Sequence, residues 1–256
     1  MQTIAISSGK GGVGKTFVSL QLAGWLASLG KSVVLFDGDL GLANLHVLLG
    51  LAPQADLSSV LAGEKSLKDI CITGPLGIQI IPGASGVREM AELTQAEVVR
   101  LFRDLYETFA QADYLLIDTG AGIGSHVTSM ANIADEILVV VRDEPASLAD
   151  AYGLIKVLHT DFVKQNIKVV MNDCGDDKRA KDVFMRLDGV STRFIGLPLS
   201  LAGIVPHDPA VKAATRKRQL LVEFSKECPA SRAIQGLAAQ LIKSAAAPRP
   251  PVAAYT

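Results

Sequence analysis

The chain has 256 residues, 25 Lys and Arg against 26 Asp and Glu, and 49% apolar residues with few aromatics. That charge balance creates no global field toward nucleic acid, so strong nucleic-acid binding is not expected. Cys71, Cys174 and Cys228 lie far apart with no CxxC or Cys/His ligand spacing, which argues against structural zinc and disulfides. No apolar run approaches a membrane span and no signal peptide precedes the first strand, so the expected location is the cytoplasm.

Short β-branched runs recur along the chain at Thr3 to Ser7, Val33 to Phe36, Ile78 to Ile81, Tyr114 to Ile117, Glu136 to Val141, Ile167 to Met171 and Leu201 to Val205. Helical patterns separate them. Leu20, Ala23 and Ala27 mark the core face of a first helix that stops at Gly30, and Val98, Leu101, Leu105 and Phe109 mark a second between Thr94 and Ala110. This alternation predicts one doubly wound α/β domain over residues 1–244, a mostly parallel sheet with helices on both faces. After Pro229, Ile234, Leu237, Leu241 and Ile242 form a narrow apolar stripe that fits either the core or a bilayer. Residues 245–256 read as a disordered Ala/Pro tail.

Chemistry begins about ten residues in. Gly9-Lys10-Gly11-Gly12-Val13-Gly14-Lys15-Thr16 follows the first strand and opens the first helix, which is the setting of a P-loop. Backbone N–H groups along Gly9, Gly11, Gly12, Val13 and Gly14 would wrap phosphate oxygens at a helix N-terminus, with Phe17 adjoining. Lys15 reaches the terminal phosphates, and the Thr16 hydroxyl completes a Mg²⁺ shell. The expected ligands are therefore ATP or ADP with Mg²⁺.

In open parallel sheets ligands sit beyond the carboxyl ends of strands, so carboxylates there carry the next expectations. Asp37 and Asp39 close the second strand beside Gly38. Asp39 is placed to orient an attacking water and Asp37 to support the Lys15/Mg²⁺ region; the plainer alternative is that both cap the following turn. Asp118, ending the strand Tyr114 to Ile117, is placed for a water-mediated Mg²⁺ contact, followed by Gly120 and Gly122. Asn172 follows a buried strand, and its amide can pair with adenine N6 and N7; the Lys of the guanine-reading Asn-Lys-x-Asp run is missing. Pro206 and Asp208 belong to a rigid loop able to lie along a purine, or to an ordinary turn with a capping Asp. His46, His126, His159 and His207 share no ligand spacing, and the basic cluster Lys212, Arg216, Lys217, Arg218 reads as a solvated helix face or a partner surface.

The extra lysine in Lys10-Gly11-Gly12-Val13-Gly14-Lys15-Thr16 resembles the deviant Walker A motif of the MinD/ParA group of P-loop ATPases. The resemblance implies that Lys10 reaches the nucleotide of a second subunit in an ATP-sandwiched homodimer. Asp37-Gly38-Asp39-Leu40-Gly41-Leu42-Ala43-Asn44-Leu45, Ile117-Asp118-Thr119-Gly120-Ala121-Gly122-Ile123 and Asp143-Glu144-Pro145-Ala146-Ser147 look like the FlhG/FleN flagellar-number ATPases. That group implies a slow ATPase switch restraining flagellar assembly; the alternatives are a MinD/ParA-like cell-division or cargo-positioning ATPase and an ATP-gated interaction module with little turnover. Its partners would be a FleQ-like transcription activator and an FlhF-like GTPase, with weak membrane contact through the last helix at the inner membrane face or cell pole. Here the sequence starts directly on the first strand, without the extension through which some members stimulate FlhF. Phe17 replaces the usual Asn or Thr, and His46 stands where Asp is frequent.

Overall fold

The computed structural model describes residues 1–40, 43–84 and 93–245. Gly41 and Leu42 of the second-strand motif and residues 246–256 of the expected tail lie outside the described residues.

Among the described residues eight strands form one sheet: β1 (Gln2–Ser8), β2 (Val33–Gly38), β3 (Ile72–Thr73), β4 (Gln79–Ile81), β5 (Tyr114–Ala121), β6 (Glu136–Val141), β7 (Ile167–Cys174) and β8 (Ser200–Pro206). Their order is β3-β4-β2-β5-β1-β6-β7-β8, with every neighbouring pair parallel except β3 with β4. Each strand predicted from sequence is present; the two-residue edge strand β3 was not anticipated, being too short to show a period. A second difference bears on the site. β5 does not stop at Ile117 but continues through Asp118 to Ala121, because β2 pairs with it as far as Thr119 and β1 as far as Ala121.

The helices are α1 (Lys15–Ser28), α2 (Leu45–Leu48), α3 (Leu57–Leu61), α4 (Leu67–Ile70), α5 (Gln95–Thr108), α6 (Ser125–Ile133), α7 (Pro145–Thr160), α8 (Asp177–Ile195), α9 (Pro209–Arg216), α10 (Leu221–Phe224) and α11 (Pro229–Ala245). Strand residues divide between two cores according to the pleat. Ala5, Phe36, Ile117, Val139 and Met171 face the side covered by α5 to α8, while Ile4, Ile6, Leu35, Leu116, Val140 and Val170 face α1 and α11. The sheet is thus wound on both faces, as the sequence predicts.

Helix ends follow their local chemistry. Gly30 stops α1 with φ +80° and its N–H on the Ala27 carbonyl at 2.9 Å. Thr94 lies outside α5 as its N-cap, in a reciprocal capping box with Glu97. From Val18 to Leu26 α1 is buried all round, not along one face, because α11 and α10 cover the side away from the sheet. Ile234, Leu237 and Leu241 of α11 are buried and Ile242 is half-buried, with α11 packed on β8 and α1. The Trp25 indole N–H of α1 donates to Ser231 Oγ at 3.1 Å. The stripe therefore faces the core and is not offered to a bilayer. No helix among the described residues is long and apolar enough to cross a membrane.

Candidate nucleotide site

β1 lies in the middle of the sheet between β5 and β6, so the loop from Gly9 to Gly14 opens at its carboxyl edge and runs into α1. Gly14 has φ +93°, and a Cβ there would sit 2.2 Å from Asn172 Nδ2. At Gly9 a Cβ would lie 2.1 Å from the Asp150 carbonyl of α7, so packing against α7 is enough to require a glycine here. Gly11 and Gly12 face open space, which leaves the loop accessible where phosphate is expected.

Lys15 and Asp118 meet in the interior. Lys15 Nζ lies 3.2 Å from Asp118 Oδ1, which also accepts from Ser19 Oγ at 2.9 Å, and Thr16 interacts with the same carboxyl. Burial raises the Asp118 pKa and the Lys15 ammonium opposes it. Asp118 Oδ2 is buried without a hydrogen-bond partner of good geometry. An orphaned carboxylate oxygen near a threonine hydroxyl is a hard-oxygen donor set, which fits Mg²⁺.

Asp37 is fully buried and stands in register with Asp118 across β2 and β5. Its Oδ1 accepts from Asp39 N–H at 3.3 Å, and its Oδ2 accepts from Asn44 and Leu45 N–H at 3.0 and 3.1 Å. Both oxygens thus shape the loop that carries Asp39, which is itself partly exposed beside Gly120.

Burial, and after it the Asp118 carboxylate, pushes Asp37 up to about 7. A carboxyl raised from its ordinary 3.8 binds its proton more tightly in the folded chain. The stability it contributes is complete below about pH 4 and is lost as pH rises through about 7. Asp37→Asn should therefore lose less stability than the parent between those values, by a few kcal/mol at most. Urea midpoints measured across that range test it; parallel profiles would mean that Asp37 is ionised throughout.

Beside the loop opens a cleft of about 260 Å³ lined by Val13, Phe17, Asn172, Pro206 and Asp208 among others. The structure thus brings Asn172, Pro206 and Asp208 together with the P-loop. Asn172 Nδ2 donates to the Val13 carbonyl at 2.8 Å, which leaves its second N–H and its oxygen for a base. Asp208 also serves the capping alternative, accepting from Ala210 N–H at 2.9 Å and Ala230 N–H at 3.1 Å. Lys10 has a different partner from Lys15: its Nζ lies 2.7 Å from Glu144 Oε2 at the start of α7, on a partly exposed rim. Lys10 in turn holds the Glu144 pKa below its ordinary value.

Sequence reading missed Ser19, although its position four residues after Lys15 puts it one turn along the same helix face. It also missed Glu144 as the Lys10 partner, and Arg142, Asp173 and His207 on the cleft wall. Those three come from different segments, and no spacing joins them. Of the basic cluster, Lys212 lines the cleft and Lys217 lies over the Phe224 ring at 5.1 Å. Among the described residues no group of His, Cys, Asp or Glu forms a protein-only metal cage.

The chain matches the ParA family, described as NUBPL iron-transfer P-loop NTPase, over residues 1–242. It belongs to the ParA/MinD family of P-loop NTPases. Within the family it is 40% identical to Antiactivator FleN of Pseudomonas aeruginosa, over 93% of this chain and 85% of that protein. It is 32% identical to the flagellum site-determining protein YlxH of Helicobacter pylori, over 93% of this chain and 81% of that one. The septum site-determining protein MinD from Pyrococcus horikoshii, solved with Mg-ADP, superposes with a TM-score of 0.80 at 27% identity, covering 96% and 97% of the two chains. The family assignment agrees with the resemblance carried by the deviant P-loop.

Proposed function

We propose that the chain is an ATP-driven monomer–dimer switch that regulates flagellar number, acting as an antiactivator of a flagellar enhancer-binding transcription activator. One observation carries the chemical half of this reading: the buried Lys15–Asp118 pair, with the unpartnered Asp118 Oδ2, at the end of the P-loop. The names of FleN and YlxH support the biological half.

In this reading the amides of Gly11 to Thr16 and the Lys15 ammonium hold the phosphates. Lys15 exchanges Asp118 for the nucleotide. The Thr16 hydroxyl would hold Mg²⁺ directly and Asp118 would hold it through water, and the ion would supply neutralisation of phosphate charge. Asp39 accepts the hydrogen bond of the attacking water, and the Asp37 contacts to the loop backbone fix its carboxylate in place. Asn172, Pro206 and Asp208 frame the adenine, with Phe17 on the same wall. Lys10, partly exposed at the rim, leaves Glu144 to reach the nucleotide of a second copy, so that binding and dimerisation become one event.

The reading places the protein in the cytoplasm, with an FlhF-like GTPase as a further partner and no anchoring by α11. A second reading, cell-division positioning, is favoured by the superposition on MinD. The two share this chemistry and differ in the partner.

One comparison tests the switch. Asp39→Ala should retain ATP binding, lose about 10²- to 10⁴-fold in turnover and accumulate as a dimer, as expected when a water-orienting group is removed from an intact binding site. Lys10→Ala should bind ATP and remain monomeric in light scattering. Parental turnover in the first variant, or ATP-dependent dimers of the second, would refute the assigned role.

A further inference from the structure

We infer that Arg142 and His207 set the choice of base by occupying the carboxylate of Asp173, an inference that rests on the cleft being the nucleotide-base site. Asp173 follows Asn172 at a register shift in the β7–β8 pairing, with φ +58°. A bulged residue in the left-handed region is turned out of the strand alternation, and Asp is among the residues that adopt it with least cost. Here it contributes to the wall of the cleft beside Asn172. Left free, a carboxylate there would accept from the N1–H and N2–H donors on the edge of guanine and repel the N1 lone pair of adenine.

Neither oxygen is free. Asp173 Oδ1 lies 2.6 Å from His207 Nδ1, and Oδ2 is paired with the Arg142 guanidinium. Arg142 is in turn held from the other side, its guanidinium 3.6 Å from Glu144 Oε1 and its backbone N–H on Ser147 Oγ at 3.0 Å. The carboxylate that would reward guanine is thereby neutralised, and each of its oxygens already has a partner. Discrimination follows as a difference between two affinities, obtained by masking a group that favours the competitor. The sequence lacks the lysine of the guanine-reading run but keeps an Asp next to Asn172, and Arg142 is the residue that silences it.

The test uses the full chain and calorimetric titration with Mg-ATP and with Mg-GTP. The parent should prefer ATP. Arg142→Ala should shift the ATP-to-GTP affinity ratio toward GTP by about tenfold or more, the equivalent of one charge-assisted hydrogen bond. Adding Asp173→Asn to that variant should restore most of the ratio, because the released acceptor is gone. An unchanged ratio in Arg142→Ala, or an equal loss of both affinities in a folded variant, overturns the inference and leaves the base site standing. A parent that binds both nucleotides equally, or neither, overturns the base-site reading itself and the inference with it.

Discussion

Lys15→Ala is expected to abolish measurable Mg-ATP binding, with a loss of at least about a hundredfold in affinity. The ammonium is the charge opposite the terminal phosphates, and charge-assisted hydrogen bonds of this kind each contribute about 1.5–3 kcal/mol, where about 1.4 kcal/mol is tenfold. The fold should survive. Without Lys15, Asp118 loses the cation that opposes burial, so its pKa rises further and the carboxyl takes up a proton instead of remaining as an unpaired buried charge. Circular dichroism checks that, and the double variant Lys15→Ala with Asp118→Asn should fold and likewise fail to bind. Calorimetry decides the prediction: affinity equal to the parent would remove the P-loop from the proposed mechanism.

Truncation after Pro229 is the second large effect, and it is structural. Ile234, Leu237 and Leu241 each lie at 3% exposure or less, and burying a side chain of this size contributes about 1.5–3 kcal/mol. Together they account for roughly 5–9 kcal/mol, comparable to the whole stability of an ordinary domain. Removal of α11 also uncovers Trp25 and leaves its indole N–H without Ser231. The truncated chain should fail to fold or aggregate, as read by the loss of a cooperative urea transition. A folded, soluble truncate would mean that the stripe is dispensable to the core and free for another surface.

Much of the fold was legible because it depends on periods and punctuation. A strand of β-branched residues followed by Gly9 to Thr16 and an apolar helix determines a P-loop, since spacing alone decides which backbone N–H groups can converge on phosphate. Parallel strands buried on both faces need continuous apolar runs, and those runs located seven of the eight strands. The sequence also limited the candidate site to residues at the carboxyl ends of strands, because that is where an open parallel sheet leaves a crevice.

Tertiary structure decided what each of those residues touches. The sequence could place Asp37, Asp39 and Asp118 near one another, but only the pairing of β2 with β5 shows Asp37 beside Asp118 and holding the loop of Asp39. Gly9 is explained by a backbone carbonyl of α7 more than a hundred residues away, and the stripe of α11 by the side of α1 that faces away from the sheet. Arg142, Asp173 and His207 converge because β6, β7 and β8 are neighbours at one edge of the cleft. Local sequence determines which conformation a segment prefers and which chemistry it carries. Contacts between segments far apart in the chain depend on strand order and register, which no local pattern contains.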